Sequence, residues 1–159
     1  MASSRPSIEE NTAIHEVLIV AATLLDEGRF LEWADLFVER AEYEMLFKSK
    51  EIGGVDDYLM KLDRQRLVNN LTLLPHHVID TAKRLHVVSN IRVDVDGNTA
   101  NSRSSFTVYR TTEDGKTSLY AVGQNEDTLV KQDGRWLFLK RRVVLDTRLL
   151  EVHTHMPLQ

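Results

Sequence analysis

The feature that most constrains this chain is a change of hydrophobic period near its midpoint. Up to about residue 70 the apolar residues recur at helical spacing; from residue 86 onward they alternate every second residue. Ile14, Val17, Leu18, Ala21, Leu24 and Leu25 mark one face of a helix over 12–27. Asn11 or Thr12 is its expected N-cap, and Gly28 its terminator. A short helix is expected through Leu31, Trp33, Ala34, Leu36 and Phe37, and 41–47 alternates like a strand. Gly53 and Gly54 break the chain before a third helix expected over 56–70.

The second half predicts four strands, over 86–95, 100–110, 118–130 and 136–146. Asp96-Gly97-Asn98 and Asp133-Gly134 supply tight hairpin turns between them. Helices followed by a run of strands make an α+β fold with the helices on one face of a strongly curved, mainly antiparallel sheet. Such a sheet wrapped around a helix forms a cone with an open mouth. One domain over 1–159 is expected, with 1–11 and 152–159 as flexible tails.

Charge follows the same division. Residues 1–80 carry 8 basic and 15 acidic groups, whereas 81–159 carry 12 and 9. The overall charge of −4 lacks the basic stripe that phosphate contacts demand, so no nucleic-acid partner is expected. The longest apolar stretch, over 17–25, is too short to span a bilayer, and a cytoplasmic protein with no membrane partner is expected. Cysteine is absent, which removes disulfides, cysteine nucleophiles and thiolate ligands for zinc or iron–sulfur clusters.

The run DTAKRLHVVSNIRVDVDGNTANSRSSFTVYRT, then QDGRW and LFLKRRVVLDTRLL, resembles the small (beta) subunit of aromatic-ring-hydroxylating dioxygenases. The matching residues are Arg84, the His-Val-Val-Ser-Asn of 86–90, Trp136 and the Arg-Arg-Val-Val-Leu-Asp of 141–146. The stretch LLDEGRFLEWADLFVERAEYEM is similar to the wider superfamily of nuclear transport factor 2, ketosteroid isomerase and scytalone dehydratase. The resemblance covers about residues 12–150 and implies a nuclear transport factor 2-like cone. It also implies a non-catalytic structural subunit of a terminal oxygenase in aromatic compound catabolism. This chain would then hold no cofactor. A large (alpha) subunit would carry a Rieske 2Fe-2S cluster and a mononuclear iron, above a trimer of small subunits within a hetero-hexamer.

Several residues invite chemistry. His76, His77 and Asp80 offer iron-ligand types, but adjacent histidines diverge on a helix or a strand, so no metal is expected there. His153 and His155 would share a face of an extended tail and are read as part of a frayed end. The superfamily resemblance points Asp26 and His86 into the cone, as in stand-alone dehydratases that shuttle protons. Arg103 and Ser104 stand where a second histidine is expected, so this alternative rests on Asp26, His86 and Arg103. A cofactor-free dehydratase or isomerase, or a ligand-binding module, is the rival reading. The leading reading makes His86 a hydrogen-bonded core or interface residue and Asp26 a partner of Arg29 or a carboxylate of the helix's C-terminal turn.

Lys140, Arg141 and Arg142 form the one basic run, with Lys140 and Arg142 on one strand face and Arg141 on the other. Ion pairs within or between subunits, including pairs with acids of the first half, are its expected use. Arg92 and Arg103 belong with the same kind of network. Arg84, Arg141, Arg142 and Asp146 are the interface candidates. Trp33, Trp136, Phe37, Phe106 and Phe138 are expected in the core.

Overall fold

A computed structural model describes residues 6–48, 55–77, 80–150 and 157. The first helix, α1, runs Ile8–Asp26. It starts ahead of the expected cap because Ser7-Ile8-Glu9-Glu10 spells a capping sequence: Ser7 Oγ accepts from the Glu10 N–H at 3.2 Å. Thr12 instead lies inside the helix, its hydroxyl donating to the Ile8 carbonyl. The other end closes as expected. Gly28 takes φ +70°, its N–H donates to Leu25 O, and the Arg29 N–H donates to Leu24 O. These bonds satisfy carbonyls that the last helical turn leaves open.

A short helix, α2 (Phe30–Ala34), buries Trp33 and leads into strand β1 (Phe37–Lys48). The expected third helix divides in two. Residues Asp56–Asp63 form strand β2, and only Arg64–His77 form helix α3. Met60 and Leu62 alternate with Lys61 and Asp63, and β1 supplies a partner whose register includes Met45↔Met60 and Tyr43↔Leu62. A short apolar run is compatible with either period, and pairing to β1 decides it. Asp63 then caps α3 by accepting from the Arg66 N–H at 2.8 Å. Leu67, Leu71 and Leu74 make the buried face of α3, and Pro75 falls in its last turn.

The remaining strands are β3 (Lys83–Asp96), β4 (Thr99–Thr111), β5 (Thr117–Gln132) and β6 (Arg135–Leu145). The six-stranded sheet has the order β2-β1-β6-β5-β4-β3, parallel only between β1 and β6. Asp133 and Gly134 both take positive φ, as the two-residue turn between β5 and β6 requires. Helix α1 packs against β3 and buries Ile14, Leu18, Ala21 and Leu25. All five expected core aromatics are buried, with Trp33 4.7 Å from Phe37 and Phe37 5.0 Å from Phe138 between ring centroids.

Bulges bend the sheet and decide which side chains face inward. Between β5 and β6 the register passes from Thr128↔Lys140 to Leu129↔Phe138, leaving Leu139 without an opposite residue. Strict alternation along β6 therefore fails there. Phe138 and Arg141, expected on opposite faces, share the inner one, and the Arg141 guanidinium lies 4.5 Å from the Phe138 ring centre. A second bulge, between Ser89 and Arg92, places Asn90 at φ 51°.

Gly123 sits opposite Phe106 on β4. An added Cβ would lie 2.2 Å from the Val144 carbonyl oxygen and 2.8 Å from Phe106 Cζ. Backbone blocks one side, so rotamer changes cannot relieve the clash. Gly123→Ala is expected to destabilise the fold by about 3 kcal/mol, the upper part of the overpacking range, read as a lower urea midpoint at unchanged slope.

Candidate functional site

Asp26 ends α1, where a carboxylate opposes the helix dipole and needs donors from elsewhere. Edge strand β3 provides them. The Asp26 carboxylate accepts from the His86 backbone N–H at 3.0 and 3.2 Å, and its Oδ1 lies 2.5 Å from His86 Nδ1. The expected pairing of Asp26 with Arg29 does not form. Arg29 binds Glu27 at 2.8 Å and Glu32 at 2.5 Å on the exposed surface. The other ring nitrogen of His86 is Nε2. That nitrogen is buried and has no hydrogen-bond partner among the described residues.

Arg103 does not join this pair. It lies on the outer face of β4, exposed, 3.7 Å from Glu126, while its neighbours Ser102 and Ser104 point inward and are buried. The tie between Asp26 and His86 thus fastens the end of α1 to β3, with no third group of the expected set beside it.

The inner face of the sheet carries a polar row in register: Ser102, Asp127, Arg141 and Tyr43, one on each of β4, β5, β6 and β1. Arg141 grips Asp127 with two bonds, Nε to Oδ1 at 3.1 Å and Nη2 to Oδ2 at 3.3 Å, and both side chains are fully buried. Burial pushes the Asp127 carboxyl up to about 6, against the pull of Arg141 and Ser102. Arg141, one of the interface candidates, thus forms the intrachain kind of ion pair and is fully buried in this chain.

Outside, the rows are ionic. Lys140 binds Glu42 at 3.4 Å and Glu44 at 3.0 Å; Arg142 binds Glu44 at 3.3 Å, Glu126 at 3.0 Å and also Asp56. Glu44 lies beneath this layer. Burial alone would raise its carboxyl, and the Lys140 and Lys61 ammoniums outweigh that and hold it below the usual range. Arg142 therefore pairs with acids of the first half, as its position in the sequence implies. A concavity of about 550 Å³ opens beside it, lined by Arg92, Asp94, Asn101, Arg103, Glu126 and Arg142 among others. A more apolar groove of about 490 Å³ lies between α2 and α3. Neither includes Asp26 or His86.

At the start of β3, Asp80 holds two guanidiniums. Arg110 binds it at 3.1 and 2.7 Å and Arg84 at 3.2 Å, and Arg84 also lies 4.9 Å from the Tyr120 ring centre. The Arg110 bonds are the main reason the Asp80 carboxyl sits below its usual range. Arg84, another interface candidate, is thus largely enclosed within its own subunit. Arg110 carries no local signal in the sequence; its pairing follows from sitting directly opposite Arg84 on β4. Asp146 is exposed just past β6, where its N–H donates to Val122 O.

His76 is exposed near the end of α3. The side chain of His77, and all of His153 and His155, lie outside the described residues. Among the described residues no three of His, Cys, Asp and Glu come together as a metal site, and no helix is long and apolar enough to cross a membrane.

Comparison with known proteins adds a family. The SnoaL-like domain matches residues 6–142. The methanesulfonate monooxygenase hydroxylase subunit beta of Methylosulfonomonas methylovora is 30% identical over 156 residues, spanning 92% of this chain and 86% of that protein. The 2-aminobenzenesulfonate 2,3-dioxygenase subunit beta of an Alcaligenes species is 25% identical over 150 residues, spanning 94% and 99%. Among solved structures, a beta subunit from Novosphingobium aromaticivorans, assigned to an aromatic-ring-hydroxylating dioxygenase, superposes with TM-score 0.77. It is 22% identical, with 86% of this chain and 88% of that one covered.

Proposed function

Because the chain belongs to the SnoaL-like domain family and its matched relatives are oxygenase beta subunits, we propose that it is the non-catalytic small subunit of a terminal oxygenase. It pairs with a large (alpha) subunit and serves an oxidoreductase of the multicomponent type. The observation that carries this reading is the use to which the fold puts its ionisable groups. Asp26 with His86, Asp80 with Arg84 and Arg110, and Asp127 with Arg141 each tie one element to another. A scaffold needs such ties, because electron transfer between subunits depends on a fixed interface.

With no cysteine, the chain lacks the two thiolates that a Rieske cluster takes from protein, so in this reading the cluster belongs to the partner, and the mononuclear iron is assigned to the partner with it on the resemblance alone. In this reading three copies form a base for three large subunits, in the cytoplasm. The relatives' names include one aliphatic and one aromatic sulfonate, which extends the substrate class from aromatic compounds to organic acids more widely.

Purifying the tagged chain from its native host tests the reading. A coloured complex with iron and a larger, cysteine-bearing chain is expected, and Asp26→Asn in this chain should leave turnover per iron unchanged. A colourless protein that purifies alone and performs a dehydration or isomerisation abolished by Asp26→Asn would overturn it in favour of the cone alternative.

A further inference from the structure

Three Asp-Gly pairs stand at the connections between β3, β4, β5 and β6: Asp96-Gly97, Asp114-Gly115 and Asp133-Gly134. An aspartate followed by glycine can cyclise. The glycine nitrogen attacks the aspartate Cγ, water leaves, and a five-membered succinimide ring joins side chain to backbone. Water then reopens the ring. Cleavage between the nitrogen and Cγ restores aspartate, whereas cleavage at the main-chain carbonyl leaves isoaspartate, with the chain running through the side chain. The water lost on closure returns on opening, so no other reactant is needed. Closure requires a free carboxyl, a free glycine N–H and an aspartate ψ of about −120°, which turns Cβ to the side of the glycine nitrogen; that is the ψ of the first central residue in a type II′ turn.

Asp114 lacks the first two. Its carboxylate accepts from Thr112 Oγ1 and from the Lys116 N–H, and the Gly115 N–H donates to the Thr112 carbonyl at 2.9 Å. Asp96 lacks the third. It is the last residue of β3 and is paired with Thr99, so turning its ψ away from the strand value breaks the closing pair of the hairpin.

Asp133 is exposed and lies in the turn itself, between the paired Gln132 and Arg135. Among the described residues nothing bonds its carboxylate or the Gly134 N–H. Its φ of 50° and the 76° of Gly134 are those of a type I′ turn. Types I′ and II′ share a positive φ at the first central residue and differ by a flip of the peptide plane that follows it. Glycine at the second position accepts both senses of that flip. Asp133 therefore reaches the ψ of ring closure with every strand pair intact.

We propose that Asp133 is a site of spontaneous isoaspartate formation, selected by a turn whose peptide plane flips while the hairpin stays paired. The product belongs to the isoaspartyl class that carboxyl-methylating repair enzymes take as substrate. Conversion puts one extra backbone atom into a two-residue turn, beside Lys131, which lies 5.7 Å from the Trp136 ring centre and 3.8 Å from Glu10 of α1.

The full chain, with any subunit that purifies with it, is held for weeks at neutral pH in heavy-oxygen water and then digested with trypsin in ordinary water. Cleavage separates the pairs into peptides 93–103, 111–116 and 132–135. Each ring opening leaves one heavy oxygen in its peptide, and electron-transfer fragmentation tells isoaspartate from aspartate. Label and isoaspartate should accumulate in 132–135 about tenfold faster than in the other two, the rate equivalent of one hydrogen bond broken beforehand. In urea, with the turns gone, the three rates should converge. Equal rates in the folded chain, a lead that persists in urea, or label that stays out of 132–135 would each overturn the assignment.

Discussion

Replacing Arg141 by Met is expected to cost about 3–5 kcal/mol of stability at pH 8, and distinctly less at pH 5. The substitution keeps most of the side-chain volume but leaves Asp127 buried without its partner. Burial already raises this carboxyl with the guanidinium in place; without it the carboxyl rises further. The sign follows from proton uptake. A group whose folded pKa exceeds its unfolded value holds its proton in the folded state, so its favourable contribution is present at low pH and lost as pH rises through the folded value. Urea melts of Arg141→Met at pH 5 and pH 8 should therefore show a larger deficit at pH 8. Asp127→Leu/Arg141→Met removes both charges and should recover most of the loss. An equal deficit at both pH values would show that Asp127 is not the group left stranded.

Asp80→Ala is the second large loss, about 3–5 kcal/mol, because it leaves Arg84 and Arg110 as neighbouring, mostly enclosed cations with no carboxylate between them. Its pH signature is opposite. The Asp80 carboxyl lies below its usual range, so the stability it supplies is fully present above about pH 4 and disappears as pH falls through the depressed value. Thermal melts should then show wild type and Asp80→Ala converging on acidification, whereas Arg141→Met diverges from wild type on alkalinisation. Because Asp80 tethers the start of β3, hydrogen exchange in that strand should rise first.

Much of the architecture was legible because its signals are local. The Gly28 terminator, the Asp133-Gly134 turn and the leucine face of α1 each act within a few residues, and all appear where expected. The N-terminal boundary was equally local, in Ser7 and Glu10, although Asn11 and Thr12 carried the expectation. Strand β2 was missed because eight residues of mixed polarity fit either period until β1 lies beside them. The ionic face of β6 was half legible. Arg142 meets Glu44, Asp56 and Glu126, yet Arg141 turns to the interior with Phe138 because Leu139 occupies a bulge. Asp26 and His86 were recognised as a pair only through family resemblance, since 60 residues separate them and local reasoning favours Arg29.

By itself the sequence determined the order of helices and strands in outline, the hairpin turns, the apolar set that fills the core and the absence of thiolate ligands. Those follow from side-chain period, backbone freedom at glycine and amino-acid composition, none of which depends on distant chain. Tertiary structure alone decided which arginine is interior and which is surface, which carboxylate answers which cation, and where like charges face each other across β3 and β4. Bulges set those outcomes by reversing the two-residue alternation, and their partners lie as far apart as Glu42 and Lys140, 98 residues along the chain.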